Sequence, residues 1–207
     1  DKVKGWFSQI TQNEGAREEV TARAAQLRVG LSSEGPVSPD AAARLAMLTR
    51  LIVGAGGTVV IPETATLLST PAFRTELLGT RPPVPTLAYG EPITTAGLHI
   101  MESPTTHWVE SITGLGATGV EVILALAGEH PLQSHPLVPV LQIAGTQSIA
   151  QQYAADVDLD LRGTVPENLT AILERMSATL SRRYVPKLTQ MGNIDFQLTR
   201  GLMGVSM

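Results

Sequence analysis

Three glutamates stand where short apolar runs end: Glu63 after TVVIP, Glu102 after GLHIM and Glu129 after VEVILALAG. Carboxylates at such points can move a proton or help to hold a metal. His130 follows Glu129 directly, and His130 and His135 bracket PLQS in a loop stiffened by prolines. Two imidazoles there suit a metal or an anion, and they equally suit a loop made rigid for packing. His107 and Glu110 lie three apart on an expected helix and so share a face. A metal site and a surface ion pair both fit that spacing. Asp156, Asp158 and Asp160 alternate in DVDLD. On a strand all three point one way, and like charges repel unless a cation or solvent offsets them. A divalent metal with oxygen ligands and an exposed edge strand are both open readings. His99 falls inside an apolar run and reads as a core histidine.

The run Gly114-Leu115-Gly116-Ala117-Thr118-Gly119 matches G-x-G-x-x-G letter for letter. A dinucleotide fingerprint follows a strand and opens a helix. This run closes an expected helix and precedes an expected strand, so carbonyls rather than amides are left free there. The expectation is therefore no nucleotide, with the glycines serving close helix–sheet packing.

The elements that must position these groups alternate. Strands are expected at 27–31, 58–62, 97–101 and 120–126, with HPLVPVLQIAG as another apolar segment and VDLDL as a short strand. Helices are expected in SPDAAARLAMLTRLIVGAGG, in TATLLSTPAFRTELLG with a break near Pro71, and in SPTTHWVESITGLGATG. Further helices are expected in TQSIAQQYAAD and VPENLTAILERMSATLSRRYV, and the tail NIDFQLTRGLMGVSM reads as irregular or a last strand. Continuously apolar strands separated by helices predict an α/β fold, a mostly parallel sheet with helices on both faces. Ligands in such sheets sit outside the carboxyl ends of the strands. The stretches to watch are thus 32–36, 62–66, 101–104, 127–130 and 158–163.

Composition narrows the function classes. Apolar residues make up 43% of 207 and charged residues 16%, enough for a sizeable core. The formal charge of −4 and the lack of a basic patch argue against nucleic acid. No apolar run is long enough to span a membrane, so no membrane partner is expected. The chain has no cysteine, which excludes disulfides and thiolate chemistry and suits a reducing compartment such as the cytoplasm. The opening DKVKGWFSQ is not a secretory signal and reads as a cut into a longer chain.

Several segments in order resemble the altronate/galactarate dehydratase family, which includes the large subunit of sulfolactate sulfo-lyase. LRVGLSSEG resembles a strand leading to Cys-Gly-Gly-Ser-Asp, and AGGTVVIPET a Gly-Gly-Thr strand ending in Ser-Glu-Thr. GLHIMESP is similar to Gly-Leu-x-x-Met-Asp-x-Pro, and DVDLDLRG to Asp-Met-Asp-Ile-Asn-Ala-Gly. ITGLGATGVEVILALAGEHPLQSHPLVPVLQI resembles a Thr-Gly-x-x-Ala-x-Gly segment, a strand, a Thr-Gly-Arg-Gly loop and a Pro-x-x-Pro-x-x-Lys strand, and DFQLTRGLM resembles a closing Glu-Phe-x-x-Trp segment.

The resemblance implies a Rossmann-like variant of the α/β class. It makes 26–207 the C-terminal domain and 1–25 an extension or linker from an upstream domain supplied in cis or in trans. It implies dehydration of a sugar acid such as an aldonate or aldarate, assisted by a divalent metal, usually iron. Expected catalytic residues are Glu63, Glu102, Glu129 and His130. Expected substrate-binding residues are Ser32, Ser33, Thr113 and His135, and expected metal ligands are Asp156, Asp158 and His107. A small hydroxy-acid substrate and a homodimer complete the expectation. The chain departs from the pattern at Ser33, which replaces the cysteine, at Glu34, Pro36 and Val37, at Thr66, and at Ala127-Gly128-Glu129-His130, where an arginine is lost. Either the substrate differs or the domain is a non-catalytic binding or assembly module on the same scaffold.

Overall fold

Valine, isoleucine and leucine runs too short for helices become strands when both of their faces are covered. A computed structural model of the chain describes residues 24–197. Most of the expected extension over 1–25, and the tail beyond residue 197, lie outside the described residues.

Strand β1 spans Arg28–Glu34 and leads into helix α1, Pro39–Gly54. Ser38 caps α1, its hydroxyl accepting the Ala41 N–H at 3.2 Å, and Pro39 supplies the first turn with its φ already set. Strand β2, Thr58–Pro62, is followed by a 3-10 turn at Thr66–Ser69 and helix α2, Pro71–Leu77. The break falls at Pro71, as expected, because proline lacks the N–H a continuing helix needs. Strand β3 is Gly97–Met101, helix α3 Trp108–Ala117, and strand β4 Val122–Ala127. Strand β5, Val140–Ala144, leads to helix α4, Gln147–Gln152. Helices α5, Val165–Leu180, and α6, Lys187–Gln190, follow.

The five strands form one sheet in the order β3-β2-β1-β4-β5. Every pairing is parallel. Helices cover both faces. On one, Val29, Leu31, Val59 and Leu124 pack against Leu45 of α1, Phe73 of α2 and Ile172 of α5. On the other, Val60, Ile123 and Ala125 pack against Trp108, Ile112 and Leu115 of α3 and Ile149 of α4. Each of these large side chains contributes about 1.5–3 kcal/mol by leaving water. The chain passes from the β3 side of β1 to the β4 side, so connections diverge at the β1/β4 junction. Such a junction is where open sheets hold ligands.

Three expectations are corrected. First, β1 runs on to Glu34, because its ladder with β4 continues to the pair Glu34–Ala127. Ser32 and Ser33 are therefore inside the strand rather than beyond it. Second, VDLDL is not a strand: Leu159 makes a single parallel bridge to Ile143. The Asp158 carboxylate takes the Gln142 N–H at 2.7 Å, a donor that a longer ladder would need. Third, His99 is half-buried rather than in the core, because β3 is an edge strand. Its ring nitrogens meet the Thr86 hydroxyl at 3.3 Å and the Thr95 carbonyl at 2.9 Å.

The glycine run closes α3 and precedes β4, the context expected. Gly114 lies under the Tyr89 ring, where a Cβ would come within 2.3 Å of Cε2. Gly119 turns the chain at φ +90°, a region L side chains rarely adopt.

Candidate functional site

Parallel pairing places the carboxyl ends of all strands on one edge. Pro62 pairs with Met101, so Glu63 and Glu102 leave adjacent strands at the same level. The backbone ties them: Glu63 N–H donates to Met101 O at 2.9 Å, and Glu102 N–H to Leu87 O at 2.9 Å. Ser103 N–H then donates to Glu63 Oε1 at 2.9 Å, which fixes that carboxylate against the start of the β3–α3 loop. Glu63 and Glu102 are both exposed, whereas the Ser103 hydroxyl is buried without a hydrogen-bond partner.

Glu34 ends β1, and Glu129 and His130 follow β4, all exposed. With strands about 4.8 Å apart, the backbone of Glu129 stands about 10 Å along the edge from that of Glu63 and about 14 Å from that of Glu102. The edge thus carries Glu102, Glu63, Glu34 and Glu129 in strand order. Between Glu34 and Glu129 the packing is tight. Gly128 N–H donates to Glu34 O at 3.0 Å, and a Cβ on Gly128 would lie 2.3 Å from Pro36 O. Gly35, at φ +73°, lets the β1–α1 turn pass under Glu129, whose Cγ would stand 3.1 Å from a Cβ there.

The four residues expected to bind substrate are placed differently. Ser32 and Ser33 are buried. Ser33 Oγ accepts from Leu67 N–H at 2.7 Å and from Thr66 Oγ1 at 3.0 Å, so it anchors the 3-10 turn. Thr113 donates its hydroxyl to Val109 O at 2.7 Å and accepts the Gln197 N–H at 3.4 Å. His135 is buried; its Nδ1 accepts from the N–H groups of Leu137 and Val138, both at 3.2 Å, and Nε2 has no partner. The Nδ1 bonds leave Nε2 to carry the proton of the neutral ring. Burial lowers the His135 pKa, and Phe196 meets the ring edge-on at 6.1 Å between centroids. His130 is exposed, with Nδ1 3.3 Å from Pro131 O.

The expected metal ligands lie apart in role. His107 is exposed and caps α3 instead of lying on it, so it does not share a helix face with Glu110. Glu110 is buried and accepts from the Thr105 hydroxyl. Asp158 is buried and its oxygens accept from Gln142 N–H at 2.7 Å, Tyr184 Oη–H at 2.6 Å and Lys187 N–H at 3.0 Å. That bonding ties β5 to α6, and desolvation together with the Asp158 bond pushes the Tyr184 pKa up. Asp160 is ion-paired with Arg162 at 2.6 Å, which lowers the aspartate's pKa, and Asp156 is half-buried. Among the described residues, no three His, Asp or Glu side chains gather as a metal site. They do not by themselves make a cage for the divalent metal that the resemblance implies.

Glu34 and Ser103 fall within the watched stretches 32–36 and 101–104 but were not singled out, because a strand end alone does not show that Glu34 is exposed on the edge or that the Ser103 hydroxyl is buried.

An all-parallel sheet with helices on both faces defines an α/β domain, the class in which ligands sit outside the carboxyl ends of the strands. The family model for D-galactarate/altronate dehydratase, C-terminal, matches residues 74–200, more than half of the 207-residue chain, and the chain belongs to that family. The match covers Glu102, Glu129 and His130, and Glu63 precedes it. No curated protein matches the chain significantly. Among the described residues no helix is long and apolar enough to cross a membrane.

Proposed function

We propose that this domain supplies acid–base groups for dehydration of a sugar acid. The observation that carries the reading is the pair Glu63 and Glu102, exposed on adjoining strand ends, with Glu63 fixed by Ser103 N–H at 2.9 Å. Dehydration breaks a C–H bond beside the carboxylate and a C–O bond one carbon further on. Glu102 takes the proton from the first carbon. Glu63, whose Oε1 accepts from Ser103 N–H, enters the step protonated on its other oxygen and gives that proton to the departing hydroxyl, which leaves as water. The resulting enol becomes a 2-keto-3-deoxy acid. Glu129 and His130, two strands along from Glu63, orient the far end of the substrate in this reading.

The test is a screen of the full-length protein, with and without added divalent metals, against D-galactarate, D-altronate and other aldonates, with 2-keto-3-deoxy acid as the readout. Turnover of at least one acid is expected. No turnover of any acid under any metal condition would favour the non-catalytic binding module. The internal use of Ser33, Thr113 and Asp158 as fold anchors is the observation on that side.

A further inference from the structure

The amino edge of the sheet, opposite Glu63, Glu102 and Glu129, carries a groove of about 1020 Å³. Ala24 and Leu27 line it just before β1, Glu121 just before β4, and Leu173, Ser177 and Leu180 from the last two turns of α5. The spacing i, i+4, i+7 puts Leu173, Ser177 and Leu180 on one face of that helix. Leu169, Ile172 and Met176 are the residues that α5 buries in the core. The groove face is thus a second stripe on the same helix, with Leu173 partly buried and Leu180 36% exposed. Small Ser177 leaves room between the two leucines. Residues 1–23 lie outside the described residues, and Ala24, where the described chain begins, is itself part of the groove wall. In that stretch Val3, Trp6, Phe7 and Ile10 recur at the i, i+3, i+4, i+7 spacing of an apolar helical stripe. Val3 and Ile10 are as far apart in sequence as Leu173 and Leu180, so the two stripes match in length, about 10 Å of helix. Residues 11–23 span up to about 43 Å when extended, enough to bring the first stripe back to the groove. Charge agrees as well. Glu121 and Glu174 outnumber Arg183 in the groove, and Lys2 and Lys4 outnumber Asp1 over residues 1–10.

We propose that residues 1–10 of this same chain dock into the groove, Trp6 and Phe7 entering over Ser177 between Leu173 and Leu180, and Lys2 and Lys4 lying toward Glu121 and Glu174. Two aromatic rings at the centre of such a contact supply most of its apolar area and exclude water from it. The docked segment sits at the sheet edge away from the glutamates and does not cover the candidate site. It is independent of the dehydration reading.

The test is tryptophan fluorescence and acrylamide quenching of the 207-residue chain, with the signal of Trp6→Phe subtracted to isolate Trp6. Trp108, the other tryptophan, is buried and contributes to both samples alike. The expected Trp6 emission is blue-shifted, and its quenching is severalfold weaker than that of a free peptide of residues 1–23, at high and low chain concentration alike. Ser177→Arg fills the groove and Leu180→Glu charges it. Either is expected to restore peptide-like quenching of Trp6 while the far-ultraviolet circular dichroism spectrum holds. Leu137→Glu, at an apolar position 81% exposed outside the groove, is expected to leave Trp6 shielded. The proposal is overturned by peptide-like quenching of Trp6 in the parent, by shielding that survives both groove variants, or by release in Leu137→Glu alone. Shielding lost on dilution also overturns it and assigns the groove to a second copy of the chain. If one groove variant does not fold, the other decides.

Discussion

Replacing Gly128 with alanine forces a backbone to move. The new Cβ would stand 2.3 Å from Pro36 O, 2.6 Å from Pro36 N and 2.7 Å from Gly35 C. All three are main-chain atoms, so no side chain can swing away. Restoring ordinary contact requires the β1–α1 turn to shift by about 1 Å, and overpacking of this kind costs about 1–3 kcal/mol. The shift also strains two hydrogen bonds, Gly128 N–H to Glu34 O at 3.0 Å and Ser38 N–H to Gly145 O at 3.1 Å. Each is worth about 1 kcal/mol net. The expected total is about 2–5 kcal/mol, and at roughly 2–4 °C per kcal/mol the melting temperature falls by about 4–20 °C. Thermal and urea melts followed by far-ultraviolet circular dichroism measure it. A melting temperature within about 2 °C of the parent would refute the close approach of β4 to the β1–α1 turn, and with it the tight edge between Glu34 and Glu129.

Other consequences follow from single contacts. Gly114→Ala should destabilise despite the better helix propensity of alanine, by about 1–2 kcal/mol net, because the Cβ meets the Tyr89 ring at 2.3 Å; Tyr89→Ala in the same chain should remove most of the penalty in a double-mutant cycle. Asp158→Ala should cost about 3–5 kcal/mol in urea unfolding, since it orphans the Gln142 and Lys187 N–H groups and the Tyr184 hydroxyl. His135 has a folded-state pKa below its ordinary 6.5, so the unfolded chain binds the proton more readily. Stability contributed by this site is therefore full above pH 6.5 and declines as pH falls from there toward the lowered folded value. Urea midpoints from pH 7.5 to 5 should show that decline, and His135→Asn, which keeps an acceptor for Leu137 and Val138, should flatten it.

The fold was legible where burial speaks through composition. TVVIP and VILALA have no polar face, so only a strand covered on both sides accommodates them, and both are β-strands buried along their length. The helix cap at Ser38 and the break near Pro71 were equally plain. DVDLD misled because its alternation is that of a strand, whereas Asp158 is a buried acceptor for groups up to 29 residues away. Such partners leave no mark on local sequence. The strand ends were right for Glu63, Glu102 and Glu129, because parallel pairing gathers strand ends whatever the loops do. Ser33 and Thr113 looked like ligand groups because their hydroxyls carry the same letters whether they face a substrate or, as here, the chain's own N–H and carbonyl groups.

Proton transfer at the β2 and β3 strand ends is tested most directly by steady-state dehydration of the best acid from the screen, comparing the full-length protein with Glu102→Gln and Glu63→Gln. Both side chains are exposed, so melting temperatures should hold. The expected result is a fall in kcat of about 10²–10⁴-fold in Glu102→Gln with KM little changed, and a smaller fall in Glu63→Gln. A kcat within about twofold of the parent in both variants would contradict the assignment of acid–base chemistry to this edge.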